Sequence, residues 1–199
     1  MSLRRVLKRS GQLLPGFAAR AFLCAGMACT PARATSLARM DVAQLTSRAA
    51  VVARVRCLGS VEQGGRKGVW TITRFAVLEV WKGSAPAEVL VRLPGGRAGG
   101  VTVRVGGAPQ FSAGEQVVLF LEPVRNDEMT ITGWAEGTFR IVGEQRSAAD
   151  AAEGAETIQD MAGSRVLDAR TGHFSAGGTT RIPLAALRAA VEEAKRREP

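Results

Sequence analysis

Histidine, cysteine and tyrosine are scarce in this chain of 199 residues, which has one histidine, three cysteines and no tyrosine. Ser-His-Asp triads, Cys-His pairs and histidine-rich metal sites all need a histidine held in a fixed geometry. The single histidine, His173, directly follows Thr171-Gly172 in a predicted turn. No two carboxylates can be shown to face each other, and Lys195 is the only lysine after Lys82. We therefore predict that the chain is not an enzyme and needs no cofactor or metal.

Long apolar runs are missing from the N-terminal part of the chain. Its clean apolar run, Ala21–Cys29, is shorter than the roughly 20 residues that a membrane-spanning helix needs. Four basic residues, Arg4, Arg5, Lys8 and Arg9, precede the apolar stretch that starts at about Leu13, and Ala32-Arg33-Ala34 follows it. A basic start, an apolar segment and an A-x-A pattern together are typical of a secretory signal peptide. We predict that residues 1–34 are removed by cleavage between Ala34 and Thr35. The remaining chain is then periplasmic or secreted, without a membrane anchor.

Two alternatives for this segment stay open at the level of sequence. It could be retained as an anchor, although Pro15, Gly16 and Arg20 interrupt the apolar part. It could also be a lipoprotein signal ending at Cys29, although Gly26-Met27-Ala28 lacks the usual leucine. Cleavage without lipidation is the interpretation we adopt.

Removal of the signal changes the charge and cysteine content of the chain. Residues 1–34 hold six of the 27 Lys and Arg and none of the 18 Asp and Glu, which leaves 21 against 18, or about +3. Nucleic-acid binding needs basic charge clustered on one face, so this balance argues against a nucleic-acid partner. Cys57 is then the only cysteine, so no disulfide can form within the chain. Because it alternates with other apolar residues on a predicted strand, we expect a buried thiol.

Beyond residue 49 the sequence alternates apolar and polar residues in short segments that end at glycines. Alternation with period two is typical of half-buried strands, and about seven such strands favour a sandwich or a barrel. We predict a mainly β fold, an OB-like small antiparallel barrel of five or more strands with a short N-terminal helix and a C-terminal helical extension. The predicted strands are Ala50–Leu58, Val69–Trp81, Val89–Leu93, Val101–Val105, Gln116–Glu122, Met129–Trp134 and Thr138–Val142.

The strand over 69–81 has an irregular apolar pattern. Trp70 and Ile72 fall on one face, whereas Phe75 and Val77 fall on the other. A β-bulge near Thr73-Arg74 would place all four on the same side and bend the strand. Bends of this kind allow a sheet to close into a small barrel.

Both helices have clear sequence signals. Asp41 as N-cap and Gln44 at the N3 position form a capping box, and Met40 and Leu45 form a hydrophobic staple, for a helix over 41–49. The C-terminal helix has Pro183 in its first turn. Its apolar side chains lie on one side and are those of Leu184, Leu187, Val191 and Ala194.

The predicted domain, 35–145, is followed by an extension over 146–199 that packs on the barrel. This extension comprises an acidic loop at 147–156, a late hairpin around Thr171-Gly172 and the C-terminal helix. Three acids of the loop, Asp150, Glu153 and Glu156, suggest a metal site. Their spacing alone is weak support, and a mobile, solvated loop is the better interpretation.

The glycine-rich segment Leu93–Pro109 is not a phosphate-binding loop. It has no Gly-Lys-Ser/Thr and leads into a strand rather than a helix. Tight turns of an exposed hairpin explain its glycines. The alternative is a flexible binding hairpin that carries arginines, and Trp81 at a strand end is the tryptophan we expect to be exposed, with Trp70 in the core. The candidate partner-binding residues are therefore Trp81, Arg92, Arg97 and Arg104.

Four segments, Ala50–Val55, Phe75–Gly83, Val91–Gly96 and Phe111–Leu121, together resemble a group of exported bacterial β-barrel proteins to which no activity is assigned. The likeness covers about residues 37–142. It implies export and similar boundaries, and it transfers no catalytic residues.

The first two of these segments are also similar to the netrin-like, OB-type barrel of tissue inhibitors of metalloproteinases. The shared features are a Val-Val strand and a strand that ends in Lys-Gly. Those inhibitors chelate the protease metal through an N-terminal cysteine held by disulfides. The predicted exported chain begins at Thr35 and has no internal disulfide, so the likeness implies the fold and not the mechanism.

Three functional hypotheses follow. The first is a non-enzymatic module of the envelope or secretome that binds a protein or cell-wall partner, of unknown oligomeric state. The second is a protease-inhibitor-like domain that inserts a loop such as Gly95–Gly100 into a cleft. The third is an enzyme with an unrecognised site.

Overall fold

The structure is a computed structural model that describes residues 36–65, 68–124, 127–142, 155–162, 164–168 and 171–198. The predicted signal peptide, its cleavage site at Ala34 and Thr35, and the acidic residues Asp150 and Glu153 lie outside the described residues. Neither helix in these ranges is long and apolar enough to cross a membrane.

The described part of the chain is mainly β, with one helix near each end, as predicted. The helices are α1 (Val42–Arg48) and α2 (Leu184–Arg197). The strands are β1 (Ser36–Ala38), β2 (Val51–Gly65), β3 (Gly68–Lys82), β4 (Glu88–Pro94), β5 (Gly96–Ala98), β6 (Val101–Val103), β7 (Gln116–Pro123), β8 (Glu128–Ile131), β9 (Thr138–Val142), β10 (Glu156–Asp160), β11 (Arg165–Leu167), β12 (Phe174–Ala176) and β13 (Thr179–Pro183).

Eight of these strands form one sheet in the order β13-β10-β9-β7-β2-β3-β4-β8. The strand β8 also pairs with β7, so the hydrogen-bonded pairings that run from β2 through β3, β4 and β8 return to β2 by way of β7. Within this circuit of five strands, β4 and β8 are parallel and every other neighbouring pair is antiparallel. Smaller sheets are formed by the hairpin β5–β6 and by β1, β11 and β12.

The start of β2 and most of β7 have buried side chains on both faces. Alternate residues of β2, such as Val55 and Val52, enter two different apolar clusters. Leu119 and Phe120 of β7 do the same. The first cluster lies between the strands of the circuit, and the second is covered by α1 and α2. This two-sided burial explains why the sequence of β7 is apolar at consecutive positions.

Several local predictions are confirmed. Asp41 caps α1, and the reciprocal bonds with Gln44 of a capping box are both present. The apolar side chains of α2 predicted to share one side are all buried, and the thiol of Cys57 is 1% exposed. The late hairpin forms as the antiparallel pair β11–β12.

The predicted bulge in β3 near Thr73-Arg74 is wrong. The ladder between β3 and β4 runs without a break from Trp70 to Ala76. The extra residue at this level belongs to β2, where Cys57 pairs with Phe75 and Gly59 pairs with Arg74, which leaves Leu58 unpaired. The inner face of β3 instead becomes polar toward its start. It carries Thr71 and Thr73, whose hydroxyls are hydrogen-bonded to the Gly95 carbonyl at 2.9 Å and to Ser60 Oγ at 2.8 Å.

The region after residue 146 contributes strands to the large sheet and is not only an extension packed on it. The strands β10 and β13 were not predicted, and they continue the large sheet beyond β9. Glu156 begins a strand rather than ending a loop, and Pro183 ends β13 and precedes the first residue of α2. Strand alternation is weak here because β13 is mostly exposed, so the strand pairing is set by the neighbouring strand more than by local sequence.

We expect Leu187→Ala to lower the free energy of unfolding by about 3 kcal/mol, because it leaves a cavity at a side chain that is 0% exposed between α2 and the sheet. Leu78→Ala, at a leucine that is 41% exposed, should cost less than about 1 kcal/mol. Urea denaturation of both variants measures this. Equal losses of unfolding free energy in the two variants would contradict the packing of α2 as part of the core.

Candidate functional site

The structure separates the four candidate partner-binding residues. Trp81 is only 4% exposed and packs in the cluster beneath α2, so the prediction that it is the exposed tryptophan is wrong. It has no partner in the β2–β3 ladder, and the guanidinium of Arg188 on α2 lies 6.0 Å from the centre of its ring. The covering helix lies more than 100 residues away in the chain, so the pattern around the strand end could not reveal it.

Trp70, predicted to be in the core, is only half-buried, as is Trp134. The guanidinium of Arg92 lies 4.6 Å from the centre of its ring and forms an ion pair with Glu128 at 3.0 Å. Arg92 is therefore engaged on the face of the sheet that carries Trp70. Arg97 is exposed on β5, where its Nε donates to Thr102 Oγ1 at 3.3 Å within the same hairpin.

Arg104 is the one member of the four that lines a cleft described by the structure. This cleft has a volume of about 490 Å³. The end of β2 and the start of β3 form one side of it, and the hairpin β5–β6 with the segment that follows forms the other. We call it the hairpin cleft. Its lining residues are Ser60, Glu62, Thr71, Thr73, Leu93, Pro94, Gly95, Gly96, Val103, Arg104, Val105, Ala108, Pro109, Gln110 and Phe111.

Two opposite charges line the hairpin cleft, the carboxylate of Glu62 and the guanidinium of Arg104. Both residues are exposed. Throughout the described ranges neither takes part in an ion pair, with the other or with a third residue. A charge that is left unpaired beside a concave surface is available to a ligand.

A glycine keeps one end of the cleft open. Gly96 has a φ of +125°, which favours glycine. A Cβ at this position would lie 2.8 Å from Thr71 Oγ1 and 3.2 Å from Glu62 Oε1. A side chain here would therefore displace the groups that line the cleft. The glycine-rich hairpin is evident in the sequence, whereas the role of Glu62 is not. The only sequence feature that points to Glu62 is its place at the end of a strand opposite that hairpin.

The outer wall of the cleft is braced by Arg140 of β9. Its guanidinium donates to the Gln110 carbonyl at 2.7 Å and forms an ion pair with Glu115. The same group lies 5.3 Å from the ring of Phe111, which packs edge-on against Phe75 with ring centres 5.0 Å apart. These contacts tie the loop that carries the wall to the core, so the cleft is a preformed site.

A second cleft of about 500 Å³ is mainly apolar. Its lining includes Val51, Val89, Leu121 and Met129, together with the acids Glu88, Asp127 and Glu128. Glu88 and Glu128 are already paired with arginines. This cleft therefore offers apolar contact with little free charge.

The carboxyl group of Glu136 is buried at 1% exposure, and neither oxygen makes a hydrogen bond of ordinary geometry within the described structure. Burial raises its pKa to about 7, against the opposing effects of the Met40 backbone amide and of the charges on Arg39 and Arg48. Gly133 adjoins both the Met40 methyl and this carboxyl. The Glu136 carboxyl therefore lies between the turn before β9 and the segment that precedes α1.

The residues suited to catalysis are not assembled in the described part of the chain. His173 is exposed; its backbone N–H donates to the Thr171 hydroxyl at 3.4 Å, and its carbonyl accepts from the Asp168 backbone N–H at 3.0 Å. Burial raises the pKa of the Cys57 thiol, which disfavours the reactive thiolate. No cluster of three or more His, Cys, Asp or Glu able to hold a metal occurs among the residues described.

No protein-family model matches the chain, and a comparison with curated protein sequences gives no match.

The buried carboxyl of Glu136 predicts a pH-dependent stability. Its pKa is about 7 in the folded chain against an ordinary value of 4.5, so the folded state disfavours the ionised form. Stability contributed by the neutral form is present at low pH and is lost as the pH rises through 7. We expect the free energy of unfolding to fall by about 2 kcal/mol between about pH 5 and pH 8 from this group.

Glu136→Gln should remove that decrease, and Glu62→Gln, at an exposed carboxylate, should leave it in place. Urea denaturation of the three proteins at a series of pH values measures the effect. A decrease that persists in Glu136→Gln would show that another group causes it.

Proposed function

We propose that this chain is an exported, non-enzymatic binding module of the bacterial envelope or secretome. Its partner is a protein or a cell-wall component, and the hairpin cleft is the site that binds it. The observation that carries the proposal is the pair of unpaired opposite charges, Glu62 and Arg104, on a braced concave surface. The proposal assigns no catalytic step and no cofactor.

The proposed architecture is an OB-like barrel made of β2, β3, β4, β8 and β7. The circuit of pairings among these strands, with one parallel pair, supports it. OB-type domains bind ligands on the face of their second and third strands and near the loop that joins the first two. In this chain the hairpin cleft adjoins the ends of β2 and β3 next to that loop. The position of the cleft therefore agrees with a binding role, by analogy of fold.

A protease-inhibitor-like domain is the alternative function. The exposed hairpin favours it, because Arg97, Gly99, Gly100 and Val101 are all exposed at its tip. A loop of this kind can enter the cleft of a protease. Slow, stoichiometric inhibition of a secreted protease that is lost on shortening the tip would support this alternative over the binding module.

Export can be tested with the full chain of 21.0 kDa expressed in a bacterium. We expect the form isolated from the periplasm or medium to begin within a few residues of Thr35, because peptidase pockets accept small residues before the cleaved bond. Ala34→Arg should block or displace this cleavage, and Ala25→Leu should not. Mass spectrometry of the isolated protein gives the N-terminus, and an intact chain confined to the cytosol would contradict export.

The binding site can be tested with the exported form as bait against periplasmic extract, medium and cell-wall fragments. We expect Arg104→Glu to reduce capture of the partner by about tenfold or more, because it reverses one of the two free charges of the cleft. Arg56→Glu, at an exposed arginine of β2 that does not line the cleft, is the matched control.

Mass spectrometry and a binding titration quantify capture for the wild type and both variants. A partner captured equally well by Arg104→Glu and the wild type would place its site elsewhere. The absence of any saturable partner from all three sources would overturn the binding module itself.

A further inference from the structure

We infer that the hairpin cleft binds a short zwitterionic peptide, with its free amine at Glu62 and its carboxylate at Arg104. This inference rests on the proposed function, because it assigns a ligand class to the same cleft. It concerns the chemistry of the ligand and not the identity of the partner that carries it.

The two charges define the ends of the ligand. Glu62 and Arg104 line one cleft without pairing with each other. Other acid-base pairs of the described chain, such as Arg92 with Glu128 and Arg140 with Glu115, are joined directly. A ligand of one charge would leave the other group unmatched, and a neutral ligand would match neither. A zwitterion with separated charges satisfies both through charge-assisted hydrogen bonds.

The surface between the charges suits a peptide backbone. It is lined by the hydroxyls of Ser60, Thr71 and Thr73. Thr71 Oγ1 donates its proton to the Gly95 carbonyl. Its lone pairs therefore remain free to accept hydrogen bonds from the amide N–H groups of a bound peptide. Gly96 brings main chain to the surface of the cleft, where a side chain would block it. Amide groups need both donors and acceptors, and hydroxyls supply either.

Apolar residues of the cleft provide room for small side chains. Val103, Val105 and Phe111 line the wall opposite β2 and β3. Phe111 is held by its contacts with Phe75 and Arg140, so this wall is fixed before a ligand binds. These residues favour peptides with small apolar side chains such as alanine.

The size of the cleft limits the length of the peptide. Its volume of about 490 Å³ falls in the range of sites for small ligands. An extended peptide advances by about 3.3 to 3.6 Å per residue. A peptide of a few residues is of the size that such a site takes, so trialanine is the probe we choose.

The test is a titration of the exported form with trialanine and with its N-acetylated, C-amidated and doubly blocked derivatives, followed by calorimetry and by NMR shifts. We expect trialanine to bind and each single block to weaken binding by about tenfold. In Glu62→Gln, N-acetylation of the peptide should no longer weaken binding. In Arg104→Gln, C-amidation of the peptide should no longer weaken binding. Arg56→Gln, at an exposed arginine of β2 that does not line the cleft, should behave as the wild type.

Both cleft residues are exposed, so these variants should melt at the temperature of the wild type, and melting curves verify this. A peptide containing D-residues, as in bacterial cell walls, compared with all-L trialanine separates the two sources of such a ligand. Preference for either one retains the inference.

The inference is overturned when the doubly blocked peptide binds as well as trialanine, or when all four peptides fail to bind at millimolar concentration. It is also overturned when the effect of acetylation persists in Glu62→Gln. Capture of a partner that depends on Arg104 would in those cases leave the proposed binding module standing, so the two failures are distinguishable.

Discussion

The ladder between β2 and β7, in which Val51–Arg56 pairs with Gln116–Leu121, is the interaction on which the rest of the structure depends. Over this ladder both strands supply buried side chains to both apolar clusters, so the two clusters share this one pair of strands. Burial of apolar surface is the dominant favourable contribution to folding, and here it acts on two sides of the same backbone. The strands β3 and β4 attach through β2, whereas β9, β10 and β13 attach through β7.

The hairpin cleft exists because β2 is longer than its contact with β7. Beyond Arg56 the strand continues to Gly65 with β3 as its ladder partner. The inward side chains along this part change from the apolar Phe75 to Thr73 and Thr71. Apolar residues hold the closed part of the strands together, and polar residues line the part that solvent reaches. The hairpin β5–β6 then covers one side of this polar end.

Local sequence signals predicted the elements whose causes are local. The capping box of Asp41 and Gln44 locates α1 within a residue, because both bonds lie within one turn. Alternation located the start of β2, where Arg54 and Arg56 are less buried than the apolar residues beside them. The strand β13 escaped prediction because nearly all of it is exposed, which leaves no alternation to detect. The bulge was assigned to β3 because its own sequence does not reveal the extra residue, Leu58, on its partner.

The sequence by itself determined the β-rich character of the chain, both helices, the burial of Cys57 and the glycine-rich hairpin, because these follow from residues near one another in the chain. Only the tertiary structure decided that Trp81 is buried beneath α2, that Arg92 is engaged with Glu128, and that Arg104 shares a cleft with Glu62. Each of these facts joins segments separated by tens of residues. Such contacts depend on which strands pair and which helix covers them, and both are set by the packing of the whole core.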